Sequence, residues 1–347
     1  MLRRILQAAM LCGVIFGLAV TLTGTVSTFA DAQDQGVPSV GAYAGRDPHT
    51  VNQRQPDYDP KVNYDCERAC LNGFVDQYLA ALVAHDPSRL PLARDVKFTE
   101  NGQILNLGDG LWGTVSGIGS YKVYADDPQA GQVMYMGLLQ ENGAPIIFCL
   151  RMKVEIHRIT EIETIISRKE PGSLARPEAL TEKPIFSQTV PPEQRRSRQN
   201  MIAIANSYFN AIELGHASYV PFDANCNRVE SGVQTTNNPG TASGPNSVIA
   251  LGCEAQLKTR NFQPDTRIRD RRFLVVDEER GLVLVGGFFD HDATVREYTL
   301  ADGKTVKQTR TAPWTWEIAE MFKIQNGKIM KIEALVNPVP YGMKAGW

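Results

Sequence analysis

The chain contains an internal repeat, and this repeat limits the folds open to it more than any single motif does. Residues 78–103 align without a gap with residues 208–233, at an offset of 130 positions. The identical pairs include Tyr78/Tyr208, Ala81/Ala211, Pro91/Pro221, Glu100/Glu230 and Gly102/Gly232. A second match, at an offset of 170, lays Val154, Arg158, Ile159, Ile162 and Glu163 over Ile324, Lys328, Ile329, Ile332 and Glu333. The repeat is far longer than a solenoid period, so it predicts two tandem globular domains.

The length and composition are sufficient for two separate cores. The 347 residues are 43% hydrophobic, and the net charge of −2 indicates neither a nucleic-acid partner nor an acidic substrate. We expect a first domain at 63–168, a linker at 169–197 and a second domain at 198–347. The linker is rich in proline and charge and has no apolar periodicity. We expect the two domains to pack face to face as an internal pseudo-dimer.

The N-terminus has the features of a secretory signal peptide at 1–32. Two arginines precede an apolar run over about 5–26, and a small-x-small cleavage site ends at Ala32. A flexible lead-in rich in Gly, Asp, Gln and Pro follows at 33–62. We therefore expect a secreted or periplasmic protein with no other membrane-spanning stretch. Because the apolar run is long for a signal, an uncleaved anchor remains the alternative.

Export favours disulfide bonds among the cysteines that remain after cleavage. These are Cys66, Cys70, Cys149, Cys226 and Cys253. The number is odd, so at least one thiol is unpaired within the chain. We predict a Cys226–Cys253 bridge, whereas a bridge between Cys66 and Cys70 is possible but strained. The five histidines are scattered without ligand spacing and no cofactor motif is present, so we expect neither a metal nor a cofactor.

Hydrophobic spacing places the same elements in both halves. It predicts helices over about 65–84 and 198–214, with a short second helix beginning at 85–87. Extended segments are expected at 96–99 and 226–229, and strands near 132–140, 145–156, 159–167, 267–276, 282–290, 313–324 and 328–336. Asn142-Gly143 and Asn326-Gly327 are typical of hairpin turns. Helices followed by a meander of strands indicate an α+β fold.

Short motifs at both ends of the repeated unit resemble a known superfamily. The segment QYLAAL at 77–82, followed by Asp86 and a strand that ends in an acid, resembles the opening of nuclear-transport-factor-2-like (NTF2-like, SnoaL-like) domains. The segment FKIQNGKI at 322–329 with IEA at 332–334 resembles the last hairpin of these domains. The resemblance implies two tandem NTF2-like cone domains, each with N-terminal helices packed on a curved antiparallel sheet. The chain also resembles secreted proteins of unknown function with this fold.

The superfamily includes ketosteroid isomerase, and the resemblance implies catalytic roles for residues at matching positions. Tyr78 and Tyr208 match the helix tyrosine that donates a hydrogen bond to the developing enolate oxygen. Glu100 and Glu230 fall close to the aspartate that removes a proton next to the carbonyl. A structural explanation exists for each: a core tyrosine with one hydrogen bond, and a carboxylate that accepts from turn amides.

Only the second half has the complete set that the resemblance implies. Glu320 falls at the second oxyanion donor, a carboxylic acid kept protonated by apolar surroundings. Leu150 stands at that position in the first half.

Other residues are suited to bind a ring-containing or anionic ligand. The candidate aromatic residues are Trp112, Trp314 and Trp316, although core packing explains them equally well. Arg267, Arg269 and Arg271 alternate and are expected to share one face of a strand, where Arg269 would contact an anionic group.

The leading hypothesis is an exported, cofactor-independent lyase or isomerase acting on a small, partly apolar, oxygenated molecule. Glu230 or Glu100 would be the base, and Tyr208 or Tyr78 the oxyanion donor. A non-catalytic small-molecule-binding protein with the same pocket is the alternative. A structural partner domain in an envelope complex is a third hypothesis.

Overall fold

Strands dominate the part of the chain that the structure describes. The computed structural model describes residues 64–171, 173–240 and 247–347. The predicted signal peptide at 1–32 and lead-in at 33–62 lie outside this part. Within it, no helix is both long and apolar enough to cross a bilayer.

The first unit forms a six-stranded sheet preceded by one α-helix. Its elements are α1 (Arg68–Val83), β1 (Leu92–Glu100), β2 (Gln103–Ile104), β3 (Val115–Asp127), β4 (Gln132–Glu141), β5 (Ala144–Glu155) and β6 (Arg158–Ser167). Their order across the sheet is β2-β1-β6-β5-β4-β3. β1 pairs in parallel with β6, and the other neighbours are antiparallel.

The second unit repeats this arrangement. Its elements are α2 (Arg198–Leu214), β7 (Phe222–Glu230), β8 (Val233–Gln234), α3 (Cys253–Lys258), β9 (Arg267–Asp277), β10 (Leu282–His291), β11 (Glu297–Thr299), β12 (Thr305–Lys307), β13 (Trp314–Gln325) and β14 (Lys328–Val339). The sheet order is β8-β7-β14-β13-β10-β9, and β11 with β12 forms a separate hairpin. Glu100 faces Thr164 in the first sheet, and Glu230 faces Ala334 in the second, so even the register repeats.

The predicted fold class, α+β with NTF2-like cones of helices on a curved antiparallel sheet, is wrong. Strands account for 43% of the described residues and helical residues for 22%, and both sheets are mixed. Spacing along the chain predicts where strands lie but not their order, so it missed that β1 and β7 run parallel to the last strand of their units. The short second helix is only a 3₁₀ turn, at Pro87–Arg89.

Local sequence explains where the two long helices and the tight turns lie. In α2, the Ser197 side chain accepts a hydrogen bond from the Asn200 N–H, and Gly215 ends the helix in the left-handed conformation. The predicted hairpin turns are confirmed. Asn142 and Asn326 have φ values of 49° and 50°, and a glycine with positive φ follows each of them.

The two sheets pack against each other through an apolar layer. Buried side chains from both sheets form this layer, including Met134, Ile165, Leu284 and Met321. The connecting segment also contributes Phe186, which is buried in the same layer. The outer faces of the two sheets pack against α1 and α2 in separate cores.

Reciprocal ion pairs tie each long helix to the opposite sheet. Arg68 donates to Asp277 at 2.7 and 2.9 Å, and Arg198 donates to Asp127 at 2.8 Å. Arg68 and Arg198 are equivalent in the repeat, and both aspartates end the strand that lies at the sheet edge. Each unit therefore contributes one helix arginine that pairs with an aspartate of the other unit.

Two backbone amides extend this reciprocal pattern. The Asp126 N–H donates to Asp277 at 3.1 Å, and the Val276 N–H donates to Asp127 at 3.0 Å. Burial raises the pKa of Asp126 to about 6, and the neighbouring Arg68 opposes that rise. Asp127 and Asp277, at the strand ends, thus each have one guanidinium and one backbone amide as partners.

The predicted Cys226–Cys253 bridge is wrong. The disulfide joins Cys66 to Cys70, whose Cα atoms are 5.2 Å apart, within the usual range for a bridge. Cys66 precedes the first turn of α1, so the pair is not confined to helical geometry. Cys226 and Cys253 are buried thiols that hydrogen-bond to each other.

Peptide mapping without reduction tests this pairing. Trypsin cleaves after Arg68, so we expect peptides 62–68 and 69–89 to be recovered as one linked species. Alkylation of the unfolded, unreduced protein should label Cys149, Cys226 and Cys253. A linked species that contains Cys226 and Cys253 would contradict the assignment.

Candidate functional site

Three of the predicted catalytic residues come together in the core of the second unit. Tyr208 lies on α2, Glu230 ends β7 and Glu320 lies in β13, and all three surround the guanidinium of Arg228. The side chains of Tyr208, Arg228 and Glu320 are almost completely buried. We refer to Tyr208, Arg228, Glu230 and Glu320 as the polar cluster.

Arg228 organises the polar cluster. Its Nη1 donates to the Tyr208 hydroxyl at 3.0 Å and its Nη2 to Gln256 Oε1 at 2.5 Å. Its Nε donates to Thr235 Oγ1 at 3.1 Å and lies 3.2 Å from Glu230 Oε1. Each of the three guanidinium nitrogens thus has at least one partner, as burial of a charge requires.

Sequence reasoning missed Arg228, although a signal was present. Arg228 and Glu230 are two residues apart on one strand, so both side chains point to the same face. In the repeat, Arg228 falls on Phe98 of the first unit, which is buried in an apolar core. A cation where the first unit has phenylalanine indicates that the two cores differ in chemistry.

Two members of the polar cluster, Glu320 and Tyr208, have pKa values raised above neutral pH. Burial raises the pKa of Glu320 to about 8, and the charge of Glu230 adds to this, while Arg228 opposes it. Burial also raises the pKa of Tyr208 well above its usual value. Glu320 and Tyr208, which hydrogen-bond to each other, are therefore both proton donors at neutral pH.

Glu230 is the partly exposed member of the polar cluster, and one of its two carboxylate oxygens has no hydrogen-bond partner among the described residues. Its side chain is 15% exposed, and Oε1 pairs with Arg228. Its Oε2 is buried and has no hydrogen-bond partner among the described residues. A buried carboxylate oxygen without a partner is costly, and such groups in native structures require an explanation.

The corresponding residues of the first unit form a different arrangement. Tyr78 is buried and packs edge to face on Trp112, with ring centroids 5.3 Å apart. Glu100 accepts a hydrogen bond from the Leu111 N–H at 2.9 Å. Burial raises the pKa of Glu100, and this hydrogen bond opposes the shift. Leu150 stands where the second unit has Glu320, and the carboxyl group that acts on Glu100 is instead that of Glu141, whose charge also raises the Glu100 pKa.

The three predicted pocket tryptophans do not line one site. Trp112 lies in the first core, whereas Trp316 lies in the second and contacts Trp314 edge to face at 4.8 Å. Trp314 also stacks on His291, with ring centroids 3.5 Å apart. A shared aromatic pocket for one ligand is therefore not formed.

The expected row of arginines on one strand face is interrupted by a β-bulge. Asp270 has a φ of 52°, and two β9 residues lie opposite Gly287. Arg271 consequently points to α2, where it donates to Asn206 at 3.0 Å. Arg269 points to the other side and pairs with Asp290 at 2.8 Å.

One group of potential metal ligands occurs among the described residues. The ligand atoms of Cys66, Cys70 and His157 lie within 4.8 Å of one another. Both sulfur atoms are in the disulfide, so neither is a thiolate ligand in this state.

Comparison with known proteins gives a family match for the second unit. Residues 194–336, which include the polar cluster, match the model of a family described as a domain of unknown function (DUF8021). This description names no activity. No curated protein matches the chain.

Two solved structures show a weak likeness. A protein from Sphaerobacter thermophilus is 15% identical, with a TM-score of 0.24, over 29% of this chain and 97% of its own. A de novo designed protein with a curved beta-sheet is 16% identical, with a TM-score of 0.25, over 41% of this chain and 88% of its own. Neither likeness supports an inference about fold or function.

The raised pKa of Glu320 predicts how stability depends on pH. The unfolded chain releases the Glu320 proton near pH 4.5, whereas the folded protein holds it to about pH 8. The folded state therefore binds more protons across this window, and the free energy of unfolding falls as pH rises, by up to about 1.4 kcal/mol per pH unit. Glu317, whose pKa burial raises to about 8, contributes in the same direction.

Urea unfolding between pH 5 and 8 measures this dependence. The Glu320→Gln variant should show a shallower decline than the unmodified protein, because the amide does not titrate. Glu182→Gln, at an exposed position, is the matched control and should keep the full slope. An unchanged slope in Glu320→Gln would show that Glu320 is ionised in the folded protein at neutral pH.

Proposed function

We propose that the polar cluster is the acid–base site of a cofactor-independent lyase or isomerase that acts outside the cytoplasm. The observation that carries the proposal is the Oε2 atom of Glu230, a buried carboxylate oxygen that has no hydrogen-bond partner among the described residues. The roles follow those that the resemblance to ketosteroid isomerase implies. The substrate would be a small, partly apolar molecule with a carbonyl group.

In this mechanism, Glu230 Oε2 removes a proton from the carbon next to the substrate carbonyl. The electron pair of that C–H bond moves to form an enolate, and its oxygen accepts hydrogen bonds from Tyr208 and the protonated Glu320. In a β,γ-unsaturated substrate the enolate is conjugated with the double bond, and Glu230 returns the proton to the γ-carbon, which completes an isomerisation. Alternatively, the enolate expels a hydroxyl group from the β-carbon as a C=C bond forms between the α- and β-carbons. The departing oxygen takes the proton from Glu230 and leaves as water, which completes an elimination.

Arg228 acts as a positioning residue in this proposal. It holds Oε1 of Glu230, which leaves Oε2 for the substrate, and it holds the Tyr208 hydroxyl at 3.0 Å. One guanidinium thereby orients both the base and one oxyanion donor.

The first unit has apolar residues at two of the positions that form the polar cluster in the second. Phe98 stands where Arg228 stands, and Leu150 stands where Glu320 stands. Glu100 is held by a backbone amide rather than by a cation. We therefore assign the activity to the second unit.

A non-catalytic small-molecule-binding protein is the second candidate function. The observation that favours it is that Arg228 and Tyr208 already form hydrogen bonds within the protein, to each other, to Glu320 and to the neighbouring Thr235 and Gln256. Such a receptor would need only the shape and polarity of the site, and it would not need Glu230 to act as a base.

Hydrogen–deuterium exchange into carbonyl compounds tests the proposal. The protein is incubated in D₂O with a panel of small cyclic enones and β-hydroxy ketones, and deuteration next to the carbonyl and product formation are followed by NMR. Glu230→Gln should lower the rate about 10²- to 10⁴-fold, the usual contribution of a general base. Tyr208→Phe should lower it by a smaller factor, because Glu320 still donates.

The repeat supplies matched controls for this experiment. Glu100→Gln and Tyr78→Phe make the same chemical changes in the first unit and should leave the rate unchanged. Thermal unfolding confirms that each variant is folded. Full activity in a folded Glu230→Gln variant would rule out Glu230 as the base, and ligand binding without any turnover would favour the receptor.

A further inference from the structure

A cleft of about 360 Å³ lies at the junction between the two units. It opens where the segment 340–347 leaves the second sheet and reaches the first, with Trp347 Nε1 donating to Thr99 Oγ1 at 2.9 Å. Its lining includes Arg267, Arg269, Asp270, Arg272, Lys344 and Trp347. No member of the polar cluster lines it, so it is a separate site.

The β-bulge in β9 gives the cleft its charge. Because the bulge at Asp270 adds one residue to the strand, Arg269 and Arg272 both line the cleft while Arg271 faces α2. The segment 340–347 is held against these arginines, since Arg269 Nη2 donates to the Met343 carbonyl at 2.6 Å. Two chain segments thus hold the cationic side chains in place.

The arginines around the cleft are paired with carboxylates. Arg267 and Arg269 both pair with the buried Asp290, and Arg269 also pairs with Asp270, which lines the cleft. Arg272 and Arg151 both pair with Glu163, and Arg151 also pairs with Glu161. An excess of positive charge at the cleft therefore has to come from lysines.

Two further cations near the cleft have no carboxylate partner among the described residues. Lys344 forms no ion pair there, and Lys97 lies over the ring of Trp347, with Nζ 4.2 Å from the centroid. The buried Glu317, whose pKa is raised to about 8 by burial, is neutral at physiological pH and does not offset the excess.

Arg272, which lines the cleft, has one donor without a partner among the described residues. Arg272 is buried and donates through Nη1 and Nη2 to Glu163 at 2.9 and 2.5 Å. Its Nε is buried and has no acceptor among the described residues. A buried, charged donor without an acceptor is costly, and an anion in the cleft would relieve that cost.

We propose that this cleft binds a small organic anion through a carboxylate or phosphate group. Arg272 and Lys344 are its principal donors, and Trp347 supplies apolar contact for the rest of the molecule. The volume is within the range of small-molecule sites. Carboxylate and phosphate share the geometry that guanidinium groups recognise, so the experiment distinguishes the two.

Calorimetric titration of the full chain at low ionic strength tests the proposal, with citrate, inorganic phosphate and neutral glycerol as probes. We expect one molar equivalent of citrate or phosphate to bind, and glycerol not to bind. The tighter of the two anions identifies the preferred group. Lys344→Gln should weaken this binding about tenfold, as expected for loss of one charge-assisted hydrogen bond.

The control is Lys328→Gln, which removes an equally exposed lysine from a hairpin turn away from the cleft. It should leave the dissociation constant unchanged, and so should Tyr208→Phe, which separates this site from the acid–base proposal. Absence of one-to-one anion binding would overturn the proposal. Equal weakening by Lys344→Gln and Lys328→Gln would also overturn it, because the attraction would then be a property of net charge.

Discussion

The rest of the structure depends on the reciprocal pairing of each helix arginine with an aspartate of the opposite sheet. Asp127 and Asp277 are buried, so removing either arginine would leave an uncompensated charge at a cost of about 3–5 kcal/mol. The apolar layer between the sheets supplies most of the attraction but has no directional preference. The paired arginines add the directional constraint on the relative position of the two sheets that the apolar layer lacks.

Two equivalent positions explain why units of one topology differ in chemistry. Phe98 and Leu150 complete an apolar core in the first unit, whereas Arg228 and Glu320 occupy those positions in the second. Replacing buried ionic groups by apolar ones of similar size is often neutral or stabilising, so the polar cluster is not needed for folding. The presence of the polar cluster in the second core alone is what the proposed acid–base role would require.

Much of the secondary structure could be predicted from the sequence, because helices, strands and Asn-Gly turns depend on local spacing. The bounds of α2, at Arg198–Leu214, agree with the prediction. The parallel pairing of β1 with β6 could not be predicted this way, since pairing between distant strands is absent from local periodicity. The bulge at Asp270 was missed for a related reason: one added residue reverses which side chains face the cleft.

The candidate site shows the same limit. Tyr208, Glu230 and Glu320 were found through the repeat and the resemblance, but the charge balance around them depends on Arg228, which neither indicated. An apolar core that holds one guanidinium and two carboxyl groups is electrically neutral only when one carboxyl keeps its proton. Glu320 is the more deeply buried of the two carboxyl groups, and burial raises its pKa to about 8, so Glu320 is the one that keeps the proton. Arg228 contacts Glu230, the partly exposed one, and this is the arrangement that the proposed division into base and acid requires.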